Sequence, residues 1–407
     1  MSEPLGTADI LERIDFGVAA LRGAELHHVL GVLREQSPVV RVRAFGGPAY
    51  LLTRFDAVRE FLRDDDAFPG GCTYELAIGQ TVGRTFISMD GAEHDRHRQL
   101  ATPAFRSQAV ARFNAEQLLP LAHEVIDRFA HRDHADLVAE FTTVLPFHVI
   151  SRKLGLPIGT EEEQRRWAKA LLSFPRDPTA AVAGAAEFTR FLAPVVEQRR
   201  QAPGDDVLSQ LLTASLDGAR LADDEIFSHV RLLYAVGATT TSDALGNLLY
   251  ALLTQPDVLE RVRRDREQRA GIVAETLRWE PPVALLPRHT PFAGRIGGVE
   301  IPAGARLLVG IAAANRDPRT FASPDRFDPD RREPEILTFG FGRKFCPGST
   351  MARTQLLIAL DALLDRLPGL RLADRKGIEP RGTTLRSPEA IRVEWSQQAR
   401  APRARTS

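Results

Sequence analysis

Cys346 stands in Phe339-Gly340-Phe341-Gly342-Arg343-Lys344-Phe345-Cys346-Pro347-Gly348, the stretch of the chain with the most pointed chemistry. Its glycines let the backbone bend tightly and approach something flat. Pro347 is favoured at the first position of a helix, so the sulfur sits where free backbone amides and the positive helix end are expected to lower its pKa. Such a thiolate can ligate iron. A buried free cysteine ahead of an ordinary helix is the competing reading, and Cys346 alone does not decide between them. The second cysteine, Cys72 in Gly70-Gly71-Cys72-Thr73, reads as an incidental free thiol.

Other residues carry spacing rather than singular chemistry. Glu275 and Arg278 lie three apart in ETLR, on one helix face, where an ion pair can form. His94 and Arg98 lie four apart in EHDRHR; His94 with His97 lacks the third ligand a metal site needs. Ala235-Val236-Gly237-Ala238-Thr239-Thr240-Thr241 falls inside a long apolar-periodic stretch. Glycine in a helix interior costs roughly 1 kcal/mol against alanine, so Gly237 points to a gap left for a ligand.

The elements that must position these residues are mostly helical. Val39 to Arg54 alternates around Gly46-Gly47-Pro48 and reads as a hairpin. Apolar residues recur at three and four over Glu93–Arg112, Leu118–Arg128, Thr160–Ser173 and Glu187–Arg199, with a Thr160/Glu163 capping box. Gly204-Asp205-Asp206 opens a short helix to Ala214, and a long helix runs from Asp223 or Asp224 to about Thr254. Another, from about Gly271, stops at Trp279-Glu280-Pro281-Pro282 because proline disfavours helix in the residue before it. Short strands follow at Gly294–Ile301 and Arg306–Gly310, then coil from Asp317 to Pro334 and a helix from Gly348 to Asp365. Residues 1–397 read as one domain and 398–407, polar and arginine-rich, as a disordered tail.

Composition narrows the partners. The 407 residues carry 53 basic and 53 acidic side chains, so no global field draws the chain to nucleic acid or an anionic membrane. Nearly all the basic residues are arginine; the lysines are Lys153, Lys169, Lys344 and Lys376. Two cysteines make no disulfide framework, and neither the N-terminus nor any apolar run reads as a leader or anchor. The expectation is a cytoplasmic, soluble monomer.

The cysteine loop resembles the haem-ligating loop of the cytochrome P-450 family in its phenylalanine, glycines, cysteine and following glycine, and three further segments fit in the right order. The resemblance extends from the hairpin near Val39 to Trp395. It implies the cytochrome P-450 fold, mainly α with small β-sheets, and haem b bound with Cys346 as axial thiolate. Phe339, Gly340 and Gly348 would shape the haem loop, and His94, Arg98, Arg288 and Lys344 would bind the propionates, Lys344 departing from the usual histidine or arginine. Glu275, Arg278 and Arg326 would form the family's structural Glu-Arg-Arg network.

On the long helix the resemblance implies catalytic roles for Gly237 and Thr240, but Thr239 stands where the family usually has an acid. Proton delivery then falls to a water chain with Thr239 and Thr240, or the enzyme uses peroxide, or it runs a step needing no acid. Thiolate ligation favours O–O cleavage, and the implied activity is hydroxylation or epoxidation of a hydrophobic small molecule by dioxygen. NAD(P)H would supply electrons indirectly, through a ferredoxin reductase and a ferredoxin docking near Arg343, Lys344, Arg106 and Arg353. A ligand sensor without turnover is the remaining alternative. The implied substrate pocket includes Leu172, Leu233, Val236, Val283, Leu285 and Thr384.

Overall fold

Phe45 and Gly46 both adopt left-handed backbone, at φ 52° and 77°, which is the geometry a two-residue hairpin turn requires. They join β1 (Val39–Ala44) to β2 (Gly47–Leu52) in a computed structural model that describes residues 7–332 and 335–396. The tail expected at 398–407 lies outside the described residues, as does Pro334 at the end of the expected coil. The remaining strands among them are β3 (His134–Asp136), β4 (Leu285–Thr290), β5 (Gly294–Ile296), β6 (Val299–Ile301), β7 (Ala305–Gly310), β8 (Arg371–Leu372) and β9 (Arg392–Glu394). They form sheets ordered β1-β2-β7-β4, β3-β9-β8 and β5-β6. Strand β4 has no clean sequence signature because Pro287 interrupts it, yet Pro287 pairs with Leu308 of β7.

Helices make up the bulk, and the long one runs Asp223–Leu253. Asp223, Asp224 and Glu225 in its first turn complement the positive helix end, and Glu225 accepts the Ala222 amide at 2.7 Å. Its buried residues fall on nearly every side, as in a helix enclosed by others. Helices Leu145–Leu154, Glu161–Leu172 and Ser349–Arg366, the last directly after Cys346, pack against it.

The capping box is present, with the Glu163 amide donating to Thr160 Oγ1 and the Thr160 amide to Glu163 Oε2. The expected helix Glu93–Arg112 is instead broken. Gly91–Ala101 ends before Pro103, and a fresh helix begins at Ser107, because Pro103 pulls Thr102 out of helical backbone.

The coil ahead of the cysteine loop is pinned by a buried guanidinium. Arg278 grips Glu275 with two bonds, of 2.7 and 2.8 Å, and donates to the carbonyls of Asn315, Pro324 and Arg326. Arg326 therefore enters only through its backbone, which corrects the expected triad. The third side chain on Glu275 is Arg331, at 3.3 Å, while Arg326 is exposed.

Candidate active site

The cysteine loop is shaped by backbone. Gly340 and Gly342 sit at φ 76° and 70°, and a Cβ on Gly342 would lie 3.0 Å from the Leu62 carbonyl oxygen and 3.2 Å from Arg63 Cα. Only glycine fits there. The Cys346 amide donates to the Phe339 carbonyl at 2.8 Å, and the amides of Gly348 and Ser349, at the start of Ser349–Arg366, donate to the sulfur. Gly348 itself has ordinary φ, so its contribution is this amide. The expected low thiol pKa is corrected. Burial pushes the Cys346 thiol above its usual value, and the two amides and the nearby Arg98 only partly oppose it.

Across a cavity of about 390 Å³ from Cys346 stands the long helix, presenting Leu233, Val236, Gly237, Thr240, Thr241 and Ala244. Thr241 was missed in the sequence, although it stands one helical position beyond Thr240. The hydroxyls of Thr239, Thr240 and Thr241 each donate to the carbonyl four residues back, at 2.8 to 2.9 Å. Thr239 is not among the lining residues: one residue is 100° of helix, and that turns it off the wall Thr240 occupies. Gly237 lines the cavity, but a Cβ on it would meet Ile150 Cδ1 at 2.9 Å. Its missing side chain serves the close approach of helix Leu145–Leu154.

Four basic side chains gather on the cavity wall. His94, Arg98, Arg288 and Lys344 all line it, and Arg98 and Lys344 both act electrostatically on His94. His94 is buried against Asp95 at 3.0 Å, and burial holds its imidazole below the usual pKa. Arg98 donates to the Phe345 carbonyl at 2.5 Å, tying its helix to the cysteine loop. Arg288 lies over the Tyr74 ring and donates to its hydroxyl at 3.1 Å, a partner without sequence signal. Lys344 already binds Asp90 at 2.5 Å and the Met89 carbonyl at 2.6 Å, which engages two of the three donors of its ammonium.

The apolar part of the wall is only half as expected. Leu233, Val236 and Val283 line it; Leu172, Leu285 and Thr384 do not. Alternation along β4 explains Leu285, which is fully buried in the core beside Leu308 and Ala312, while Leu286 faces the cavity. Leu172 packs on the main core at the end of its helix, and Thr384 offers its carbonyl to the Ala284 amide. Ile87, Val149, Ile150 and Leu286 are among the other aliphatic residues that line it. Gln355, on Ser349–Arg366, also lines the cavity, buried and with Nε2 unpartnered among the described residues.

The relatives decide what this arrangement is. The family model for cytochrome P-450 matches residues 168–368. Cytochrome P-450 107B1 of Saccharopolyspora erythraea is 34% identical over 362 residues, covering 85% of this chain and 89% of that protein. This chain belongs to the cytochrome P-450 family. Mycinamicin IV hydroxylase/epoxidase of Micromonospora griseorubida is 33% identical over 390 residues, 92% of this chain and 97% of that protein. The solved cytochrome P-450 PksS of Bacillus subtilis superposes with a TM-score of 0.82 at 30% identity, covering 90% of this chain and 96% of that one.

The cytochrome P-450 fold and membership make the chain a haem-iron oxidoreductase, a monooxygenase. The residues present fit the group: a half-buried sulfur held by two amides, a void opposite it, and basic side chains on the wall between. The expected docking cations are less free than their sequence suggests. Arg343 lies 3.6 Å from Asp66 and 3.7 Å from Asp95, and Arg353 packs over the Phe339 ring, leaving Arg106 exposed. No helix among the described residues is long and apolar enough to cross a membrane.

Proposed function

We propose that this enzyme inserts one oxygen atom of dioxygen into an apolar small molecule, by hydroxylation or epoxidation, with electrons from NAD(P)H through a ferredoxin reductase and a ferredoxin. The observation that carries the reading is that Cys346, Gly237 and Thr240 line one largely apolar cavity. Cys346 would ligate the haem iron, with Arg98, Arg288 and His94 on the propionates and Lys344 acting through its carboxylate partners. When bound, haem supplies the activation of dioxygen and the site's redox chemistry.

The chain's own residues do the rest. Ile87, Val149, Ile150, Leu233, Val236 and Leu286 exclude water and take up apolar surface, about 25 cal/mol for each Å² buried. Thr240 places a hydroxyl on the wall opposite the sulfur, its hydrogen held on the Val236 carbonyl until a proton is received. Relatives named for polyketide biosynthesis and for mycinamicin IV make polyketide-type compounds the first class to screen. A low-to-high spin shift on titrating such compounds into the ferric enzyme, followed by NADPH-dependent oxygenated product, tests the reading. Failure of every apolar class to shift the spectrum would overturn it.

A second reading, peroxide-driven turnover, has one observation on its side: Thr239 carries no acid and its hydroxyl is tied to the Ala235 carbonyl. Product with hydrogen peroxide but none with ferredoxin would select it. In the ferredoxin reading, Thr239→Asp raises product per NADPH if the missing acid limits coupling. The sensor alternative loses its basis because the relatives are named as hydroxylases, epoxidases and monooxygenases.

A further inference from the structure

The first turns of the long helix hold a segment of the cavity wall. Phe86–Ser88 is a short turn between helices Gly71–Val82 and Gly91–Ala101, and Phe86 and Ile87 line the cavity. Three contacts dock this segment on the long helix. Arg231 Nη1 donates to the Val82 carbonyl at 3.3 Å. Gly83, at φ 90°, comes so close that a Cβ on it would overlap Ser228 Oγ. His229 then takes the backbone of Phe86 itself, whose amide donates to the imidazole Nε2 at 3.3 Å.

The His229 imidazole makes this bond in only one form. Its Nδ1 lies 2.7 Å from the Glu225 carbonyl, which only accepts, so the ring proton is on Nδ1 and Nε2 keeps its lone pair. Burial brings its pKa down to about 4, so near neutral pH that lone pair stays available to Phe86. The ring is stacked as well as bonded, against Phe86 with centroids 5.7 Å apart and against His97 at 6.1 Å. His97 is fixed in turn, its Nε2 2.7 Å from the Glu225 carboxylate and its Nδ1 2.9 Å from the Glu93 carbonyl. It belongs to the helix that carries His94 and Arg98, so one frame holds both the Phe86 wall and the basic wall. Without the Nε2 acceptor the Phe86 amide would be buried unpartnered, a cost relieved by moving the segment or admitting water.

We propose that His229 is the positioning residue that sets the fit of an apolar substrate on the Phe86 side of the cavity. Its Nε2 fixes the Phe86 main chain, and that fixes how far the Phe86 and Ile87 side chains reach toward a bound compound. His229 is wholly buried and does not line the cavity, so it touches neither substrate nor cofactor and acts through Phe86. With the clamp released, the wall visits positions that no longer meet the compound, and affinity falls with the fraction of molecules in which it is out of place. The inference rests on the monooxygenase reading above, which makes the cavity a substrate pocket.

The test compares wild-type holoenzyme with His229→Phe, which keeps a flat ring and loses the acceptor, and His229→Gln, which keeps an acceptor and loses the ring. The probes are imidazole and 4-phenylimidazole, both read by the Soret shift of the ferric haem. The Kd of imidazole divided by that of 4-phenylimidazole isolates what the phenyl group gains from the cavity wall. That ratio is expected to fall in His229→Phe by up to about tenfold, the shift that loss of one hydrogen bond produces, and to return toward wild type in His229→Gln. Nitrogen NMR of the carbon monoxide-bound ferrous protein is expected to show an imidazole protonated on Nδ1 alone, absent from both variants. An unchanged ratio in a His229→Phe protein whose reduced carbon monoxide spectrum is native would overturn the proposal. So would a His229→Gln protein as impaired as His229→Phe. If His229→Phe fails to fold, the wild-type nitrogen spectrum decides, and a His229 protonated on Nε2 overturns the proposal. A wild type whose ferric Soret band ignores imidazole would bring down the haem reading beneath it, which separates the two failures.

Discussion

The two walls of the cavity are built by opposite means. On the cysteine side, glycines at positive φ, main-chain amides on the sulfur and a carbonyl bond from Cys346 to Phe339 set the geometry, so the backbone decides. On the helix side the backbone is ordinary α-helix, and the side chains of Leu233, Val236, Thr240 and Ala244 decide what the cavity is. A wall made of backbone tolerates few replacements and serves one task. A wall made of side chains can be rewritten one residue at a time, and this is where the chain departs from its family, at Thr239.

The comparison can be broken most sharply at the support of the cysteine wall. Arg278→Ala leaves Glu275 buried with only the Arg331 side chain and the Asp328 amide on it, and is expected to cost about 3–5 kcal/mol in a denaturant melt, as for a broken buried pair. A loss below ~1 kcal/mol would mean the coil does not depend on this pin. Gly342→Ala comes next: the positive φ and the 3.0 Å approach to the Leu62 carbonyl predict a cost of about 1–3 kcal/mol, read together with reduced haem content.

A third prediction concerns pH. The Asp243 carboxyl is raised from an ordinary 3.8 to about 7, so the folded chain holds a proton there that the unfolded chain has lost. Its contribution is full below the ordinary value and disappears as pH rises through about 7. The melting temperature of Asp243→Asn relative to wild type should therefore climb from about pH 4 to about pH 7 and level off above it; a flat difference would remove the raised carboxyl from the account.

The smallest effect is expected at Gly237→Ala. The added methyl would lie 2.9 Å from Ile150 Cδ1 and 3.2 Å from Cγ1, a side chain that can turn aside, and alanine recovers roughly 1 kcal/mol of helix propensity, so stability should change by less than ~1 kcal/mol. The displaced Ile150 lines the cavity, so the spin-shift affinity for apolar compounds should move while the melt does not. A large destabilisation would show the helix wall to be as unforgiving as the loop.

What was legible in the sequence follows the same division. The cysteine loop is contiguous in the chain and demands particular residue types, so its motif points straight to its shape. The hairpin, the capping box at Thr160 and the long helix are likewise local. Legibility ended where a side chain's neighbours come from elsewhere. Arg326 and Arg331 sit in one arginine-rich coil, and only the path of that coil selects Arg331 for Glu275. Leu285 and Leu286 exchange roles because β4, interrupted by Pro287, was not read as a strand. Ile150 facing Gly237, Tyr74 under Arg288 and Asp90 on Lys344 are contacts between distant segments. The helix-end amides beside Cys346 are visible in the sequence, whereas the burial that raises its thiol comes from distant segments.

The claim on which all of this rests is that Cys346 is the sulfur ligand of a bound haem. The reduced, carbon monoxide-bound spectrum of wild type and Cys346→Ser tests it directly. The account predicts the thiolate-type red-shifted Soret band in wild type and its loss in Cys346→Ser; its absence from wild type, or its persistence in the variant, would contradict it.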